Sequence, residues 1–381
     1  MELFFDLVYV FALTRISARA FEDLTQESGR AHGWGTITGA GKTLLLLLAL
    51  WAVWQGTAWT TSRYDPYRVP LQTVVITALV CSMLMGWRFP GVQRDVADVR
   101  GGVRDRAVGP AVDPLDRVGR APVPPVEGAD GRGVRVQRVF WISGAMLSTN
   151  AQVVLWSAAL AIEYLAARCG WPVPGLGRSR VSKWEIAGEH LAERYQQFFL
   201  VALGETILVA GFAYSAGPFE AGHVWAFAFA VATSILLWRI YVQRAGRILG
   251  QAVVKARHPA TIGRSAADTH LLMVIGLAAT AIGYELIIEH PLERIPGAWL
   301  AMVLGGPALF LAGRARMEYE VFARVSLPVD RPHGAGGVVG AAAVPARCGR
   351  DRRRVLVLAT VAVVDARRAH GAAPEPAAPP F

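Results

Sequence analysis

The stretch His190-Leu-Ala-Glu193-Arg194-Tyr-Gln-Gln197-Phe-Phe-Leu-Val-Ala-Leu-Gly204-Glu205-Thr-Ile-Leu-Val-Ala-Gly211 is apolar enough over most of its length to sit in lipid. It nevertheless holds a histidine, two glutamates, an arginine and glutamine. At about 100° per residue, His190, Glu193, Arg194, Gln197, Val201, Gly204 and Glu205 fall within roughly one third of a helix circumference. Ionisable groups in a membrane segment are costly, so they face a protein interior or a wet cavity and mark candidate functional positions. The bland alternative is that Glu193 and Arg194 snorkel at the helix end while Glu205 ties two helices together.

Working outward, the rest of the chain repeats this apolar character. Of 381 residues, 53% are hydrophobic and 12 are tryptophan, and the mean hydropathy is positive. The apolar residues come in long blocks, as in α-helical membrane proteins. The expected fold is therefore all-α, a polytopic transmembrane bundle of about eight spans. These are Leu3 to Ala20, Thr43 to Thr61, Val69 to Phe89, Val139 to Ala167, Glu189 to Tyr214, Phe219 to Arg244, Asp268 to Glu289 and Gly297 to Ala315.

A net charge of +10 does not imply nucleic acid, because the basic residues sit mainly between apolar blocks and read as topology signals and lipid-headgroup contacts. No recognition helix, zinc pattern or aromatic–basic platform is present. Cys81, Cys169 and Cys348 have neither disulfide nor zinc spacing. Gly35-Thr-Ile-Thr-Gly39-Ala-Gly41-Lys42-Thr43 superficially resembles a phosphate loop, but the position five before the Gly-Lys pair is Thr36 rather than glycine. No nucleophile elbow marks a hydrolase, and the residues call for no cofactor.

Basic residues alternate between connectors. The one before Glu189 has Arg168, Arg178, Arg180 and Lys183, and that from 215 to 222 has none. The next has Arg244, Arg247, Lys255, Arg257 and Arg264; 289–296 has Arg294; then Arg314, Arg316 and Arg324 follow. Positive charge accumulates inside, which makes the first, third and fifth of these connectors cytoplasmic and, counting back, the N-terminus cytoplasmic as well.

Four regions result: N-terminal membrane helices over 1–90, an Arg/Gly/Pro-rich segment over 91–138, C-terminal membrane helices over 139–326, and a low-complexity tail over 327–381. The second and fourth lack aromatic residues and apolar runs of spanning length until the final Phe381. They read as translation products of GC-rich DNA in the wrong frame, or as a disordered loop and tail.

Several motifs together resemble the bacterial low-temperature-requirement A family. They are Glu2-Leu-Phe-Phe-Asp6-Leu-Val-Tyr-Val-Phe-Ala, Leu44 to Trp51, Ala161-Ile-Glu163-Tyr164, Pro174 to Arg180, His190 through Leu208, Asp268-Thr-His270-Leu, and the span with Glu285 before His290-Pro291. The resemblance implies an integral membrane protein of the bacterial cell membrane linked to growth in the cold, and it supplies no reaction.

Asp6, Glu163, His190, Glu193, Arg194, Gln197, Glu205, Arg239, Asp268, His270 and Glu285 form the expected intramembrane polar site. Three functions compete for it. The first is an ion- or proton-coupled transporter with Glu205 as coupling acid and Glu193 and Arg194 as gate or solute contact. The second is a non-catalytic sensor or structural protein. The third is a metal-assisted enzyme acting on lipid, with His190 and Glu193 joined by Asp268 and His270 or by Glu2 and Asp6. Membrane lipids are the expected partners, with a small solute or ion; oligomeric state is not legible.

Overall fold

The computed structural model describes residues 2–27, 34–64, 149–169, 186–242, 246–290, 297–323 and 377–379, with isolated positions at 69, 72, 73, 75, 76 and 143. The third expected span, the segment 91–138 and nearly all of the tail lie outside the described residues, as do Cys81 and Cys348.

Every described element is an α-helix: α1 (Glu2–Glu27), α2 (Trp34–Arg63), α3 (Thr149–Cys169), α4 (Gly188–Ala216), α5 (Ala221–Tyr241), α6 (Arg247–Lys255), α7 (Pro259–Glu289) and α8 (Gly297–Phe322). Five of them, α2, α4, α5, α7 and α8, are long and apolar enough to cross a membrane. That is fewer than the eight expected spans. Asp6, Arg15 and Arg19 interrupt the apolar block of α1, while Thr149, Asn150 and Gln152 open α3. The Gly35–Thr43 stretch forms the first turns of α2.

The helices fall into two compact units, the first holding 1–19 and 38–184, the second 20–37 and 185–381. In the first, Ala49, Ala52 and Leu160 pack together with Leu45, Leu48 and Tyr164 around them, which joins α2 to α3.

In the second unit, α4 leaves through Gly217-Pro218, where proline prevents the helix from continuing, and the chain re-enters as α5. Pro259 opens α7, because its missing N–H falls where a helix has no partner for one. Tyr195 near the start of α4 donates to the carbonyl of Gly263 near the start of α7. Ala210 and Ala213, near the end of α4, cluster with Tyr284 and Ile288 at the end of α7. These two helices therefore run parallel, and α5 and α8 run against them: Ala226 and Ala230 join the same cluster, while Trp299 packs on Ile282 and Leu286.

The α7–α8 crossing is glycine on glycine. A Cβ on Gly276 would lie 2.7 Å from the carbonyl oxygen of Gly306, and one on Gly306 would lie 2.5 Å from Thr280 Oγ1. Small residues let backbones approach this closely where no hydrophobic force drives helices together in lipid.

Candidate functional site

The first unit holds one expected acid in its core. Asp6 is buried, and the indole N–H of buried Trp54 donates to its Oδ1 at 2.9 Å. Glu163, on α3, is half-buried.

The second unit collects most of the rest. On α4, Arg194 and Glu205 are 1% and 2% exposed. Eleven residues at about 100° each return to nearly the same face, so one buried stripe holds both. His190 and Gln197 are half-buried at its edge, and Gln197 Oε1 accepts from Arg194 Nη1 at 2.9 Å. Glu193, next to buried Arg194, is exposed. Arg239 is likewise exposed on α5, while its neighbour Tyr241 faces inward.

On α7, Glu285 is half-buried, and its Oε2 is a buried oxygen without a hydrogen bond among the described residues. The charges of Glu289, Glu205 and Glu22 act on it. Carboxylates from α1, α4 and α7 therefore share one region of this unit.

His270 lies toward the other end of α7, about 22 Å from Glu285 along the axis at about 1.5 Å per residue. Its Nδ1 is 2.7 Å from the carbonyl oxygen of Ala266, which can only accept. The Nδ1–H form is thereby selected, and in the neutral ring Nε2 accepts the hydroxyl proton of Tyr241 at 3.0 Å. Tyr195 stacks on the imidazole with centroids 5.1 Å apart, and Phe199 stacks on Tyr241 at 3.6 Å. Asp268, half-buried, is two residues away on α7.

By hydropathy the last span ends at Ala315, with Arg314 and Arg316 expected as loop charges. The helix instead runs to Phe322 and includes both, Arg314 buried and Arg316 half exposed. Buried Arg314 donates from Nε to the carbonyl of Ile240 at 2.9 Å and pairs with Glu318 at 3.5 Å. Glu320, 1% exposed, accepts on Oε1 from Ser265 and Thr269, both at 2.6 Å, and from Arg316 Nε at 3.2 Å. The spacing of Arg314 to Glu318 and Arg316 to Glu320, an i,i+4 pattern that favours helix, was the available signal.

Among the described residues no three His, Cys, Asp or Glu side chains are grouped to hold a metal. With both ring nitrogens of His270 engaged, the metal-assisted reading gains no support from this geometry.

Long apolar helices whose interiors enclose ionised-type side chains define a multipass α-helical membrane protein. Residues 1–99 and 131–369 match the family described as bacterial low temperature requirement A protein (LtrA). An uncharacterized protein of Rhizobium meliloti (strain 1021) is 30% identical over 338 residues, covering 87% of this chain and 79% of that relative. The chain belongs to the LtrA family. No solved structure matches it.

Proposed function

We propose that this chain is an ion- or proton-coupled transporter of the bacterial cell membrane, with Glu205 as the coupling acid and Glu285 as its partner. The observation behind this reading is the arrangement just described: a fully enclosed Glu205 in an apolar span, acting electrostatically on a Glu285 whose Oε2 has no hydrogen bond among the described residues. Acids that share a membrane interior are the groups from which proton relays are built. The alternation of basic connectors supports an orientation with the Pro259 end of α7 and the N-terminus in the cytoplasm and the Glu285 end toward the outside.

Outward-facing Leu200, Ile207, Leu208 and Phe212 on α4, and Trp225, Ile235 and Trp238 on α5, suit lipid acyl chains and headgroups as partners. Nothing in the basic residues calls for nucleic acid.

The test uses purified protein in liposomes with a trapped pH-sensitive dye and an imposed membrane potential. Wild type is expected to move protons, and Glu205→Gln to abolish the signal while reconstituting as a folded protein. Undiminished flux in that variant rejects the role of Glu205.

A second reading, a non-catalytic sensor or structural protein, is favoured by the polar ties between helices, such as Thr206 to Ser234 at 2.8 Å and Tyr241 to His270. In that case neither wild type nor variant moves protons.

A further inference from the structure

Glu320 meets only half of its bonding capacity. Three donors converge on Oε1, whereas Oε2 is buried and has no hydrogen-bond partner among the described residues. A carboxylate oxygen left bare in a protein interior calls for an explanation, such as a proton or an ion. The other oxygen of the same carboxylate is held by two hydroxyls. Ser265 and Thr269 lie four apart on α7, so both hydroxyls point from one face toward α8. Each hydroxyl gives its single proton to Oε1 and keeps lone pairs for another partner.

We propose that Glu320, Ser265 and Thr269 form a binding site for a small hard monovalent cation, sodium or a proton, where α7 crosses α8. Hard cations select oxygen ligands, and here one carboxylate and two hydroxyls from two helices supply them. The site is separate from Glu205 and Glu285 and does not depend on their role in transport.

Arg316 is the built-in competitor. Its Nε bonds Glu320 Oε1, its Nη2 lies 3.2 Å from Ser265 Oγ, and its side chain is half exposed. The guanidinium supplies positive charge at the oxygens the cation would take, and its exposed position leaves it room to withdraw into water.

Other charged groups lie on the surrounding helices, Glu189 of α4 and His270 of α7 among them, with Arg257 and His258 just before α7. Arg314 and Glu318 of α8 pair with each other. Arg264 and Asp268 of α7 are half-buried, and Lys255 of α6 is exposed. His190, Glu193 and Arg194 of α4 lie at its start, where Tyr195 bonds the start of α7, and Tyr241 of α5 bonds His270 there.

Thermal unfolding of the purified full-length protein in detergent tests the site. Sodium chloride replaces choline chloride at constant ionic strength, and the series is repeated across pH. Ligand binding to the folded state raises Tm in a saturable way. Wild type is expected to show a sodium-specific rise, or, where the occupant is a proton, a pH profile of Tm that Glu320→Gln alters. Thr269→Val should raise the sodium midpoint by about tenfold or more, the scale on which ligand support acts, and shift the pH profile as well, because Glu320 loses a hydrogen-bond donor. Arg316→Gln should lower that midpoint, and Glu205→Gln should leave it unchanged.

The proposal is overturned if sodium has no specific effect and Glu320→Gln follows the wild-type pH profile. Should Glu320→Gln fail to fold, Thr269→Val and Arg316→Gln decide: unchanged midpoints and pH profiles in both overturn it equally.

Discussion

Trp54 donates its indole N–H to Asp6 Oδ1 across 2.9 Å, joining two helices of the first unit through a hydrogen bond inside its core. The pairing gives Asp6 a structural duty. Trp54→Phe keeps the ring bulk and removes one donor to a buried acceptor, a loss of about 1–3 kcal/mol. Asp6→Asn retains the accepting oxygen and should cost less. Thermal unfolding of the two variants in detergent, with Trp54→Phe the less stable, checks the ordering.

Glycine at 306 is required by space and glycine at 305 is not. A Cβ at Gly306 would meet Thr280 N at 2.7 Å and Gly276 O at 2.8 Å, both backbone atoms, whereas nothing lies within 4 Å of one at Gly305. Gly306→Ala should force α7 and α8 apart and lower Tm sharply. Gly305→Ala should leave Tm unchanged or slightly raised, since alanine favours helix by up to about 1 kcal/mol. Equal Tm values for the two variants would contradict the close crossing.

These pairs show where the sequence was legible. Apolar block length identified a helical membrane protein, and the 100° rotation placed Arg194 and Glu205 on one buried stripe. Helix ends were harder. Hydropathy starts α7 at Asp268, because Arg264 resembles a loop charge, and ends α8 at Ala315, because Arg316 does. Both arginines lie within helices, since a membrane helix can continue beyond the apolar core while its charges bond one another. Ser265, Glu318 and Glu320 lie beyond those ends. The outward turn of Glu193 and Arg239 was also hidden, because the sequence does not reveal where the buried arc of a helix stops.

Tyr241→Phe isolates the hydroxyl that serves His270. The stack on Phe199 is kept, but Nε2 of the buried imidazole loses its donor. A destabilisation of about 1–3 kcal/mol is expected. His270→Ala removes the acceptor and opens a cavity under Tyr195 as well, so it should cost more than Tyr241→Phe. Chemical or thermal unfolding of the pair measures the difference.

The interruption in family likeness makes a genetic prediction. Residues 100–130 fall between the matched stretches, whereas the second stretch reaches 369, into the tail. The out-of-frame proposal for the segment 91–138 is therefore tested first on this unmatched core. Reading its DNA in the other two frames should recover an apolar run of about 20 residues, enough to cross a bilayer. Two further frames without such a run would make the segment a genuine insertion.

Thr206 and Ser234 offer a direct measure of how firmly polar contacts hold α4 to α5. Thr206 Oγ1 lies 2.7 Å from the carbonyl of Leu203, to which it gives its one proton, so Ser234 supplies the proton of the 2.8 Å contact between the hydroxyls. Both side chains are buried. A double-mutant cycle of Thr206→Val and Ser234→Ala isolates the pair from the packing each change disturbs. Interhelical hydrogen bonds in membranes average about 0.6 kcal/mol and reach about 1.7 kcal/mol. A coupling energy in that range is expected from the unfolding free energies of the four proteins. A value of zero would mean that the helices are held by shape alone at this level, with the hydroxyls satisfied by their own backbones.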